Sequence, residues 1–202
     1  MSEAFSERDR RLVRLFAASV LGRFDVVREL RRNCASDEPD RRWRETVLQV
    51  HVFAGFPRQV ELHGVLEESG GLGTFDAGEL GTAPDALERG ARLFDTIYGK
   101  NAPEIRAMLA GHHPDFSEWM HAHAYAKILA RDGLPASMRE LLACAALAAL
   151  GQPRQLASHS RGAVRCGASP ARVHEVLDVI ADLVEPGRLI EARRVLERFA
   201  SG

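Results

Sequence analysis

Two stretches of this chain repeat one another, and that repeat limits the available folds more than any other feature. Arg42 to Glu68 aligns without a gap on Arg172 to Arg198. Identities fall at Arg42/Arg172, Glu45/Glu175, Arg58/Arg188, Glu61/Glu191 and the run Val65-Leu66-Glu67 on Val195-Leu196-Glu197. Arg10 to Asn33 aligns on Arg139 to Gly162, pairing Arg10 with Arg139, Leu12 with Leu141, Ala17 with Ala146, Leu21-Gly22 with Leu150-Gly151 and Arg32 with Arg161. One insertion separates the two registers. So long a period indicates a duplicated module, not a solenoid of short units, and we expect two copies of a four-helix unit at about 8–70 and 137–200. A Gly-rich linker near Gly70–Gly81 and an intervening helical segment at about 83–132 would join them. In domain terms, the expectation is a degenerate first copy at roughly 1–70, a linker at 71–82 and a site-bearing domain at 83–202.

Apolar residues recur at helical spacing almost throughout, and alternating Val, Ile or aromatic runs are absent, so the spacing predicts an all-α chain. Helices are expected at roughly 8–21, 23–34, 40–54, 57–69, 85–98, 102–110, 115–131, 138–150, 153–166, 170–184 and 188–200. Ser137 with Glu140, Asp115 with Glu118, and Thr82 with Asp85 each fit an N-cap followed three residues later by an acid. Gly22, Gly133, Gly151 and Gly167 stand where helices should stop.

The chain has 202 residues, 46% of them hydrophobic and 27% charged, enough for a substantial buried core. Lys and Arg (27) nearly balance Asp and Glu (28), leaving a formal charge of −1 and no basic surplus for a phosphate backbone. Nucleic acid is therefore not an expected partner. The first residues are polar, and no apolar run reaches the length of a membrane span, so no membrane partner and a cytoplasmic location are expected. Cys34, Cys144 and Cys166 form no C-x-x-C pair and are read as reduced thiols, with Cys144 a small core residue and Cys166, near a helix end, the more accessible.

The chemistry concentrates between Ser137 and Leu177. Glu140 opens an apolar helix, and His159 lies on the next one with Gln152 and Gln155 at i, i+3 and i+7, on one face. If the two helices pack as an antiparallel hairpin across Leu150–Gln152, Glu140 approaches that face. A carboxylate beside an imidazole fixes its tautomer and raises its basicity, as proton shuttling requires. At the matching places the first stretch has Arg11, Arg23, Val26 and Leu30, so the polar set is missing while the apolar framework persists. Two plainer roles compete: Glu140 as half of a capping box, and His159 as an ordinary boundary histidine. Arg161 and Arg139 are candidates for holding a substrate carboxylate. His112, His113, His121 and His123 cluster in sequence, but His121 and His123 are two apart, unlike helical zinc ligands, so no metal is expected. His51 and His63 have no evident partners.

The core motif S-M-R-E-L-L-A-C-A-A-L-A-A-L-G-Q-P-R-Q-L-A-S-H resembles that of the carboxymuconolactone decarboxylase family, which includes alkylhydroperoxidase D-type peroxidases. Y-A-K-I-L-A-R-D-G-L at Tyr125–Leu134 is similar to the family's stretch ahead of this motif, E-V-L and the helices through Leu196 to its C-terminal part, and Val47–Pro57 to that same part in the first copy. The resemblance implies an alkylhydroperoxidase D-like all-α fold and assembly of helical units as a homo-oligomer, usually a trimer or hexamer. In the peroxidases a glutamate, two cysteines and a histidine map onto Glu140, Gln152, Gln155 and His159, and two glutamines can be neither sulfenylated nor oxidised to a disulfide. The decarboxylase branch needs neither cysteines nor a cofactor. It implies a small carboxylated, lactone-like substrate, with His159 as proton donor, Glu140 its orienting partner, Arg161 or Arg139 the anion holder, and Gln152 and Gln155 donors to a lactone oxygen. The alternatives are a peroxidase and a non-catalytic helical scaffold.

Overall fold

A computed structural model describes residues 4–200, and among them the regular structure is helical, with no strand. The elements are α1 (Glu7–Leu21), α2 (Phe24–Arg32), α3 (Arg41–Glu68), α4 (Ala86–Tyr98), α5 (Ala102–His112) and α6 (Pro114–Trp119). A π-helix at Met120–Leu129 follows, then α7 (Ala136–Ala149), α8 (Pro153–Arg165), α9 (Pro170–Val179) and α10 (Pro186–Phe199). None of the helices is long and apolar enough to cross a membrane.

The α1–α2 and α7–α8 turns are built alike. Gly22 adopts φ 73°, with Arg23 N–H donating to Ala18 O at 2.9 Å, and Gly151 adopts φ 68°, with Gln152 N–H donating to Leu147 O at 2.8 Å. Both close the preceding helix through a left-handed glycine, a conformation a β-carbon would strain. In α3 the break expected between 54 and 57 is a kink at Gly55 (φ 79°, ψ 169°) just before Pro57.

α7 is the buried axis, with every residue from Met138 to Ala149 inside. It packs on α8, α1, α9 and α3. Of the ion pairs that cross between the repeated stretches, two are related by the repeat itself. Arg139 reaches Glu45 at 2.7 Å, both at most 2% exposed, and Arg10 pairs with Glu175. Arg10 is the repeat counterpart of Arg139, and Glu175 that of Glu45.

Several local expectations are corrected. α7 starts one residue before Ser137, its N-cap is Pro135 without a side-chain cap bond, and Glu140 is fully buried, so the Ser137–Glu140 capping box does not form. His113, not Asp115, caps α6, its Nδ1 accepting from Asp115 N–H at 3.2 Å. α4 begins at Ala86 behind Asp85, which makes no side-chain cap bond, so the Thr82 cap is absent too. The stretch read as 115–131 is a short α-helix that widens into the π-helix. Part of the expected linker is tied down: a 3-10 turn at Ala77–Glu79 holds Glu79 buried against Arg44 at 2.5 Å.

Candidate functional site

Glu140 and His159 meet. Glu140 projects from the first turns of α7 and His159 from the middle of α8, and the Gly151 turn folds α8 back along α7, bringing Glu140 Oε2 to 2.9 Å from His159 Nδ1. Glu140 is fully buried, and the His159 side chain keeps 9% of its surface exposed. Glu140 Oε1 is buried without a hydrogen-bond partner. Because an ionised carboxylate only accepts, the neutral imidazole in this contact carries its proton on Nδ1 and leaves Nε2 as the basic nitrogen.

Close approach of α8 depends on Gly162, where an added Cβ would fall 2.6 Å from Glu140 Oε2 and 2.8 Å from Ile97 Cγ2. Two aromatic rings flank His159 edge-on: Phe53 of α3, 6.3 Å between ring centres, and Tyr98 of α4, at 6.5 Å. Behind Tyr98, the Tyr125 hydroxyl of the π-helix donates to the Tyr98 oxygen at 2.9 Å. That bond leaves the Tyr98 hydroxyl proton free for another acceptor. Burial pushes both phenols up, and the charge of Glu140 adds to it, so both stay protonated at neutral pH.

The remaining sequence candidates lie elsewhere. Arg139 is corrected as an anion holder: it is enclosed with Glu45, Gln49 and the carbonyls of Arg131 and Asp132, with no free face for a substrate. Gln152 and Gln155 are exposed at the start of α8 and do not close over His159. Arg161 lies with its guanidinium 5.0 Å from the Phe199 ring centre, beside a crevice of about 10 Å³ shared with Ile97 and Tyr98, room for about one water. His51, read as partnerless, bonds His123, and His63 bonds Gln59. Among the described residues no group of three or more His, Cys, Asp and Glu is placed to hold a metal ion.

Neither thiol near the site is poised to react. Cys144 is fully buried, and burial, then the Glu140 charge, pushes its thiol far up. The same causes push half-buried Cys166 up to about 12. Sequence reasoning missed Tyr98, Tyr125, Phe53 and Gly162. Only Gly162 left a signal, a glycine inside an amphipathic helix one turn from His159.

This buried Glu–His hairpin lies inside a segment that matches a family model. Residues 114–198 match the carboxymuconolactone decarboxylase family. No curated protein matches the chain. The carboxymuconolactone decarboxylase-like segment, under half of the chain, contains Tyr125, Glu140, Gly162 and His159. Phe53 and Tyr98, the two rings against His159, come from outside it.

Proposed function

We propose that the chain is a cofactor-free lyase, a decarboxylase of small carboxylated, lactone-like substrates, working through the Glu140–His159 pair. The observation that carries this reading is the 2.9 Å contact, which holds His159 by Nδ1 and leaves Nε2 for substrate. Loss of CO2 breaks the bond to the carboxylate carbon and sends its electron pair into a conjugated carbonyl, giving an enolate. The protonated imidazole, stabilised by Glu140, then delivers its Nε2 proton to carbon and recovers one from water. The free hydroxyl proton of Tyr98 supports the enolate oxygen, and Arg161 is the remaining candidate for the anion. The family match supports this chemistry, and the raised thiols weigh against the peroxidase reading.

A second inference concerns the two repeated stretches. We read them as two copies of one unit facing each other, because Arg139–Glu45 and Arg10–Glu175 are the same contact made in both directions, as a two-fold interface requires. Only the second copy carries a site. Where Glu140 would have its counterpart, Arg11 pairs with buried Glu38 instead.

The test is a screen for CO2 release over carboxylated lactones and vinylogous acids. Turnover by the wild type should fall at least about 100-fold in His159→Ala with the helical circular dichroism unchanged. Equal turnover in that variant removes His159 from the mechanism.

A further inference from the structure

A groove of about 700 Å³ runs between α3 and the continuous helix formed by α6 and the π-helix. Its volume falls in the range of small-molecule sites. Phe56, Phe116 and Trp119 line it while 68%, 47% and 62% exposed, a cluster of exposed rings of the kind that marks ligand or protein contacts. Both walls are built from irregular backbone. Gly55, at φ 79°, turns the α3 wall, and the π-helix, a form that concentrates at functional sites, makes the other.

The polar groups of the groove are few and have fixed roles. His51 Nδ1–H donates to Leu48 O at 2.6 Å, so its Nε2 is an acceptor, and His123 must supply the proton of their 2.8 Å contact from its own Nε2. In the neutral ring, His123 Nδ1 is then a bare acceptor. Burial, with His123 adding, pulls His51 down and favours its neutral form. Lys127 supplies a cation one turn beyond His123, and Glu118 an anion roughly 12 Å from Lys127 along the same helix.

The helices that wall the groove also carry residues around the His159 site. His51 and Val52 line the groove, and the next residue, Phe53, is the ring against His159. Ala124 lines the other wall, and the next residue, Tyr125, is the hydroxyl behind Tyr98.

We propose that this groove binds a flat, largely apolar hydroxy-carboxylate, with the carboxylate on Lys127 and the hydroxyl donating to His123 Nδ1, and that it is the approach to His159. The rings of Phe56, Trp119 and Phe116 along the groove take the apolar body. Its role as an approach rests on the Glu140–His159 reading, whereas binding in the groove does not.

Calorimetric titration with 6-hydroxy-2-naphthoate, and separately with uncharged 2-naphthol, tests it at probe concentrations up to the millimolar range. Saturable one-to-one binding of the naphthoate is expected, weakened at least tenfold by Lys127→Met, while 2-naphthol changes less than twofold. Trp119→Ala should weaken both. His159→Ala and Glu140→Gln should leave naphthoate binding within twofold, so a failed lyase reading shows as intact binding without turnover. Absence of saturable binding, indifference to Lys127→Met, or loss of binding in His159→Ala overturns the proposal. So does sedimentation showing that a second copy of the chain occupies the groove and is released as the probe binds.

Discussion

Gly162 stands against Glu140 so closely that a single methyl there would lie 2.6 Å from the carboxylate oxygen that holds His159. The pair therefore depends on a residue with no side chain as well as on its own two. Gly162→Ala should force α8 off α7 or push the carboxylate aside, costing about 1–3 kcal/mol in urea unfolding as overpacked cores do. A variant as stable as the wild type would mean the hairpin has more slack than this spacing allows.

Glu45 ties the two repeated stretches by accepting from Arg139 at 2.7 Å, and it also accepts from Arg131, just before the second stretch, at 2.9 Å. Glu45→Ala strands the buried Arg139 guanidinium and should cost about 3–5 kcal/mol. Glu88→Ala, which removes an exposed partner of Arg92, should cost under about 1 kcal/mol. Equal costs in denaturant titrations would contradict the ranking.

Glu79 gives the acid limb of stability a definite sign. Its hydrogen bonds to Arg44 hold the carboxyl at about 2, below the ordinary 4.5. The stabilisation is present above the ordinary value and is lost as pH falls from there toward about 2. Glu79→Gln should lower stability at neutral pH and flatten the fall across that window. Parallel wild-type and variant curves would show that Glu79 does not govern it.

The buried thiols predict slow chemistry. Cys144 and Cys166 should react with a disulfide reagent at neutral pH much more slowly in the native state than in urea, and no dithiol-dependent peroxidase turnover should appear. Fast native labelling together with hydroperoxide reduction lost in Cys166→Ser would restore the peroxidase reading.

Assembly is also an expectation carried forward from the sequence. We expect a homo-oligomer, with light scattering giving a multiple of 22.3 kDa. A mass of 22.3 kDa unchanged by dilution would show that packing α1 on α7 within one chain already satisfies those helix faces.

How much the sequence revealed follows from how local each feature is. Helical period, the Gly22 and Gly151 stops and the break before Pro57 depend on neighbouring residues, and all appear in the structure. The Glu140–His159 contact was legible because one short turn separates their helices. Arg139 was misjudged because its partner, Glu45, lies in the other repeated stretch, and no local pattern announces that a cation will be enclosed. Tyr98 and Phe53 were invisible for the same reason: each reaches His159 only through the packing of a distant helix. Glu140 fitted a capping box by spacing alone, yet α7 begins early enough to place it inside the core.

The central claim is that Glu140 holds His159 by Nδ1 and frees Nε2 for proton transfer. Nitrogen-15 NMR of the histidine side chains reads this directly. The account predicts that neutral His159 is protonated on Nδ1 in the wild type and loses that strict preference in Glu140→Ala. A His159 ring protonated on Nε2, or one unaffected by removal of Glu140, would contradict it.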